Sequence, residues 1–205
     1  MTEVKICGLM SERDVRMSSD ADRLGFVVAT GTRRSLEPGA ARRLIGLAER
    51  PTVMVITSSD PAFILSLAYE LRPDAVQLNG PVGRDSMAMI AKEASCEVWA
   101  VVHVGKERPT LDREMLSMAD RVVLDTSSPQ GGGCGMMHDL DVSAGLVREL
   151  GPLTSLAGGL TPENVAAAIA KVRPHMVDVS SGVEMNGTKD AARIRRFIDE
   201  VRGCR

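Results

Sequence analysis

Ser155-Leu156-Ala157-Gly158-Gly159-Leu160 and Val177-Asp178-Val179-Ser180-Ser181-Gly182-Val183 are two turns of one kind, each following a short apolar run and preceding a helical pattern. Glycine lets the backbone approach an anion closely, and amides at a helix start point outward with the positive end of the helix dipole behind them. The two turns therefore read as halves of one phosphate site, built from Gly158, Gly159, Ser180, Ser181 and Gly182. In a (β/α)8 barrel the loops after strands seven and eight often form such a site. The pair thus predicts an α/β fold, a single (β/α)8 TIM-barrel domain over residues 1–205, and a phosphate-bearing small-molecule ligand.

The rest of the chain agrees with that expectation. Apolar runs rich in valine, isoleucine and leucine cover residues 4–6, 24–28, 53–56, 75–78, 98–102, 122–124, 155–157 and 176–179. Their starts lie roughly 20 to 30 residues apart, room for a strand, a turn and a helix. Near-continuous apolar runs suit parallel strands covered on both faces. Helical patterns fill the gaps at 38–49, 61–71, 84–94, 111–118, 142–150, 162–172 and 190–201, and Ser11-Glu12-Arg13-Asp14 has the cap and acids of a short first helix. Thr161-Pro162-Glu163-Asn164 reads as a helix start, with threonine as cap and proline in the first turn.

Composition narrows the partners. With 205 residues, 44% of them hydrophobic, the chain can bury one substantial core near the lower size limit of a barrel. A formal net charge of -2 leaves no basic footprint, and 2% aromatic residues supply little stacking surface, so nucleic acid is not expected as a partner. No apolar run is long enough to span a bilayer and the N-terminus has no signal-type pattern, so no membrane association and a cytoplasmic location are expected. Cys7, Cys96, Cys134 and Cys204 are scattered without a CxxC pair, which suits reduced thiols.

Two residues fall where barrel chemistry is done. Cys7 ends the first strand and precedes Gly8; Lys5, on the same face two residues earlier, carries a charge that would favour the thiolate. The competing readings are a buried cysteine acting as a small hydrophobe and a structural lysine paired with an interior carboxylate. Asp125 ends the sixth strand, where apolar walls would raise its pKa and keep it a proton donor; the competing reading is a turn aspartate before Thr126-Ser127-Ser128-Pro129.

Val4-Lys5-Ile6-Cys7-Gly8, Leu24-Gly25-Phe26-Val27, Val76-Gln77-Leu78, Leu124-Asp125, the run 156–165 and the run 177–184 together resemble phosphoribosylanthranilate isomerases across the whole barrel, with Gly187 and Lys189-Asp190 extending the match. The resemblance implies an Amadori rearrangement of N-(5-phosphoribosyl)anthranilate in tryptophan biosynthesis, needing neither metal nor organic cofactor. It implies Asp125 as general acid and Cys7 as general base, and Lys5, Arg34, Gln77 and Asp178 as substrate-binding residues. Arg34 would take the anthranilate carboxylate through a forked ion pair, and Asp178 a ribose hydroxyl. The family is met both as monomers and as homodimers.

Departures from the family pattern gather on the aromatic side of the substrate. Asn79 replaces a common histidine, Arg33 a proline, Cys134 a threonine, and 136–141 lacks the phenylalanine-aspartate-tryptophan pattern usual there. Two other readings stay open: a different sugar-phosphate isomerase or epimerase, and a phosphate-ligand-binding relative without activity. The glycine-rich stretch within 126–141 is expected to be a loop at the catalytic mouth. Cys134, His138, Asp139 and Asp141 match no closed zinc pattern, and His103 and His175 lie in other repeats, so no metal is expected.

Overall fold

The computed structural model describes residues 1–126 and 139–204. Parallel strands β1 (Glu3–Ile6), β2 (Arg23–Val27), β3 (Thr52–Ile56), β4 (Ala75–Leu78), β5 (Glu97–Val104), β6 (Arg121–Thr126), β7 (Thr154–Ala157) and β8 (Met176–Val179) close into a barrel in chain order. β8 returns to β1 in the register Val4↔Val177, Lys5↔Asp178. The helices are α1 (Glu12–Met17), α2 (Pro38–Gly46), α3 (Pro61–Leu71), α4 (Arg84–Glu93), α5 (Arg113–Leu116), α6 (Leu140–Leu150), α7 (Val165–Val172) and α8 (Ala191–Gly203). The expected (β/α)8 barrel is the observed fold. Most of the 126–141 stretch, Cys134 and His138 included, lies outside the described residues.

Strand alternation divides the apolar residues between two cores. Val4, Ile6, Leu24, Phe26, Met54 and Ile56 point outward and pack with the helices, whereas Cys7, Val53, Val55, Ala75, Trp99, Val123, Ala157 and Met176 fill the barrel interior. Both alternating sets are apolar, which explains why these strands read as continuous runs rather than as one-sided patterns.

The N-terminal end of the barrel is locked by polar contacts. Asp22, Asp74 and Asp120 stand just before β2, β4 and β6, and each carboxylate accepts the backbone N–H of Val4, Thr52 or Val98 at 2.7 to 2.8 Å. Trp99 lies wholly buried with two guanidiniums over its ring, Arg23 at 5.2 Å and Arg121 at 5.0 Å. Glu97 and Glu3 balance these two charges from the rim.

Some boundaries move for local reasons. α7 begins at Val165, not at the expected Pro162, because Asn164 turns back on the preceding loop: its Oδ1 accepts Thr161 N at 2.8 Å and its Nδ2 donates to Gly159 O at 2.9 Å. α5 shrinks to one turn capped by Asp112, and α6 begins earlier than expected, at Leu140, because Asp139 caps it. Between β8 and α8 the chain inserts a 3-10 turn (Ser181–Val183) and a small hairpin, β9 (Glu184–Met185) and β10 (Thr188–Lys189). The hairpin turns at Asn186-Gly187, both with positive φ, the pair that such a two-residue turn favours.

Among the described residues no helix is long and apolar enough to cross a membrane, and no three His, Cys, Asp or Glu side chains are grouped to hold a metal ion. Replacing Trp99 with alanine leaves a cavity in the barrel interior and removes the ring over which both cations lie. We expect a loss of about 3–5 kcal/mol in urea unfolding, read as a fall in the denaturation midpoint.

Candidate active site

The cavity at the C-terminal mouth is lined by Cys7, Arg34, Gln77, Asn79, Asp125 and Asp178, together with the turns 158–160 and 180–182. This is the end of the barrel where the loops after successive strands converge. Cys7 stays in the barrel ladder just beyond β1, its N–H donating to Val179 O at 2.8 Å. Gly8 then takes a positive φ of 74°, and a side chain there would meet Arg34 Cδ at 2.6 Å and Ser180 Oγ at 3.0 Å. The bare backbone beside Cys7 is what lets the β2 loop and the β8 turn meet above it.

The two glycine turns pack against each other as well as facing the cavity. A Cβ on Gly182 would lie 1.8 Å from Leu160 O, so this position accepts glycine alone without backbone movement. Ser180 is held from behind by Lys189, whose ammonium donates to Ser180 O at 2.9 Å and to Ser180 Oγ at 3.3 Å.

Lys5 sits beneath the cavity rather than on its wall. It is completely buried, donating to Asp178 Oδ2 at 2.7 Å and to Gln77 Oε1 at 3.0 Å. Burial opposes its charge, but the neighbouring Asp178 and Cys7 outweigh it and raise the ammonium above the usual lysine range. Asp178 Oδ1 and Asn79 Oδ1 are buried without a hydrogen-bond partner among the described residues.

Cys7 and Asp125 respond to the same burial in the same direction. Burial, reinforced by the charge of Asp178, raises the Asp125 carboxyl above the ordinary carboxylate range, as the sequence leads one to expect. Burial also raises the Cys7 thiol, and although Lys5 and Lys189 both pull it down, the net shift is upward. The expected lowering of Cys7 by Lys5 is therefore present but outweighed, because desolvating a thiolate costs more than this cation returns. His103, the register partner of Asp125 on β5, acts in the opposite sense and favours the Asp125 carboxylate.

Arg34 reaches the cavity from the β2 loop, whose ends are tied by Leu36 N to Val27 O at 2.8 Å and Ala29 N to Leu36 O at 3.1 Å. Its guanidinium does not stand alone. Nε donates to Glu184 Oε1 at 2.8 Å and Nη2 to Glu184 Oε2 at 3.2 Å. Lys189 also donates to Glu184 Oε1 at 3.0 Å, and Arg33 pairs with Oε2. Burial works against the Glu184 carboxylate, but hydrogen bonds from Arg34 and the charge of Lys189 bring its pKa down to about 2. Glu184 is therefore ionised at any pH at which the fold operates.

The family model for N-(5'phosphoribosyl)anthranilate (PRA) isomerase matches residues 4–200. The chain belongs to this family. It is 39% identical over 211 residues to the N-(5'-phosphoribosyl)anthranilate isomerase of Methanothrix thermoacetophila, covering the whole of both chains. The solved phosphoribosyl anthranilate isomerase of Thermotoga maritima superposes with a TM-score of 0.85 at 35% identity, over 99% of this chain and all of that one. Another family structure, in complex with reduced 1-(o-carboxyphenylamino)-1-deoxyribulose 5-phosphate, gives a TM-score of 0.80 at 33% identity, over 99% of this chain and 100% of that one.

The sequence pattern points to Arg34 but not to its contact with Glu184 and Lys189. The Asn186-Gly187 turn signals that Glu184 and Lys189 lie side by side, though not that Arg34 meets them.

Two measurements follow from this geometry. The thiolate is the form that a raised pKa disfavours, so Cys7 should ionise above 9.0, the ordinary thiol value. The thiolate absorbance difference between the wild type and Cys7→Ser, followed against pH, should have its midpoint there, and a midpoint below that value would contradict the burial argument. A Cβ on Gly25 would come within 2.8 Å of Cys7 Sγ and 3.0 Å of Cys7 Cα. Gly25→Ala should therefore cost about 1–3 kcal/mol of stability by overpacking and lower kcat by displacing the thiol.

Proposed function

We propose that this chain isomerises N-(5'-phosphoribosyl)anthranilate to 1-(o-carboxyphenylamino)-1-deoxyribulose 5-phosphate. The observation that carries this reading is the convergence of Cys7, Asp125, Arg34 and both glycine turns on one cavity, in a chain of this family. A phosphate seated on the 158–160 and 180–182 turns and a carboxylate on Arg34 would place the sugar between them, against Cys7 and Asp125.

In this reading Asp125 gives its proton to the ring oxygen as the bond from C1 to that oxygen breaks. The nitrogen lone pair forms the C=N bond of a protonated Schiff base. The Cys7 thiolate then takes the proton from C2; the C2–H electrons become the C1=C2 bond, and the C=N electrons return to nitrogen. The enolamine becomes the ketone by losing its enol proton and gaining one at C1. Asp125 has lost one proton and Cys7 has gained one, so a single proton passing from Cys7 to Asp125 resets the site. Asp178, through its unpartnered Oδ1, accepts a hydrogen bond from a sugar hydroxyl.

Burial serves the acid directly, since a raised pKa keeps Asp125 protonated nearer neutrality. For the base it acts in two ways. The thiolate becomes scarcer, yet a thiolate drawn from a high-pKa thiol is the stronger proton acceptor, and Lys5 and Lys189 supply the charge that makes it accessible. The reading includes a cytoplasmic location, where the reduced Cys7 it requires would persist.

The test is to generate phosphoribosylanthranilate freshly and follow its disappearance. We expect turnover by the wild type, and a fall in kcat of about 100- to 10,000-fold in Cys7→Ala and in Asp125→Asn. An inactive wild type would overturn the reading.

A further inference from the structure

We infer that Glu184 and Lys189 form a positioning device that sets the Arg34 guanidinium and the Ser180 turn at a fixed separation, so that the two anionic ends of the substrate are bound in register. The inference rests on the reading that Arg34 receives the substrate carboxylate and the 180–182 turn its phosphate.

The hydrogen bonds define the device. Glu184 engages Arg34 along one edge, through Nε at 2.8 Å and Nη2 at 3.2 Å. A guanidinium is planar, so committing this edge fixes the direction of the other. Nη1 makes no hydrogen bond among the described residues, so Nη1 and the second proton of Nη2 remain as an end-on fork on a side chain that lines the cavity. The same carboxylate takes Lys189 at 3.0 Å, and Lys189 in turn holds Ser180 through O at 2.9 Å and Oγ at 3.3 Å. An unbroken chain of charged hydrogen bonds thus runs from Arg34 through Glu184 and Lys189 to Ser180.

The device is built to stay put. Side-chain exposure is 12% at Arg34, 7% at Glu184 and 2% at Lys189, so solvent screens it little. Glu184 and Lys189 sit on the paired strands of a hairpin in the register Lys189↔Glu184, which fixes them relative to each other. Arg33 closes the outside, pairing with Glu184 and donating to Gly187 O at 2.9 Å, which ties the β2 loop to the hairpin turn.

Charge and position make opposite predictions for Glu184, which is what makes the inference testable. If Glu184 acted only as a nearby negative charge, removing it would strengthen attraction for a substrate bearing a phosphate and a carboxylate. If it acts by aiming Arg34 and, through Lys189, Ser180, removing it weakens binding. We therefore expect Glu184→Gln to raise KM for phosphoribosylanthranilate about tenfold or more, the equivalent of losing one charged hydrogen bond. Its kcat should stay within about threefold, because binding shared by ground and transition states is what is lost.

Glu184→Asp keeps the charge, and hence the fold, but shortens the arm by one methylene; its KM should rise as well. Arg34→Met with and without Glu184→Gln completes a double-mutant cycle whose effects on KM should be clearly less than additive. Calorimetric titration with reduced 1-(o-carboxyphenylamino)-1-deoxyribulose 5-phosphate should show the same losses of affinity without turnover. A wild-type KM in both Glu184 variants, a lowered KM in Glu184→Gln, or full additivity with Arg34→Met would overturn the inference. Absence of activity in the wild type would instead point to failure of the functional reading, and the titration distinguishes the two.

Discussion

The ammonium of Lys5 lies in the barrel interior with no exposure to solvent, 2.7 Å from Asp178 Oδ2 across the seam where the first and last strands meet. Removing such a charge from water costs several kcal/mol, and only close pairing with further hydrogen bonds offsets that cost. Gln77 from β4 supplies one, at 3.0 Å, so the same side chain ties the seam to a strand on the other side of the interior. The closed ring has to bring residues 5, 77 and 178 together before the charge can be buried. The register of β1 on β8 is therefore part of the electrostatics of the site.

Asp125 and Cys7 inherit this arrangement. Asp178 adds to the burial that raises the Asp125 carboxyl and to the burial that raises the Cys7 thiol. In the proposed roles, both effects favour an acid that begins protonated and oppose a base that begins deprotonated. A cation is consequently needed beside Cys7 more than beside Asp125. Two cations act on the thiol, Lys5 from below and Lys189 from the hairpin side, and burial lowers the pKa of Lys189 itself despite its pairing with Glu184.

Much of this could be read in the chain before the fold was known, and the limits have physical reasons. The strands are legible because both of their faces are buried, and the glycine turns because few residues other than glycine pass so close to a neighbouring backbone. Cys7 and Asp125 stood out because each ends an apolar run. The direction of the Cys7 shift was not legible: sequence shows that Lys5 is near, but the degree of burial that outweighs it is a property of the closed barrel. The partnership of Arg34 with Glu184 spans 150 residues, and nothing local in either segment signals it. α7 begins three residues later than Thr161-Pro162 leads one to expect, because that pair has the composition of a helix start while Asn164 spends its side chain on the glycine turn.

The two ends of the barrel use the same residue types for different purposes, and the difference lies in where their remaining donors point. At the N-terminal end Arg121 is 5% exposed, stacked on Trp99, with its Nη atoms directed to His175 and Glu3. Its burial, with the like charge of Arg23 adding to the effect, lowers its pKa despite the opposing pull of Glu3, and its Nε is buried without a hydrogen-bond partner among the described residues. At the C-terminal end Arg34 has one edge committed to Glu184 on a side chain that lines the cavity, and its Nη1 makes no hydrogen bond among the described residues. An arginine enclosed by the protein offers no donor to a ligand. One that is held rigidly along a single edge is preorganised for a ligand, because the entropy of fixing its side chain has already been lost in the free protein. In the proposed function the carboxylate behind Arg34, as much as the guanidinium itself, makes that corner of the barrel a place for a second anion.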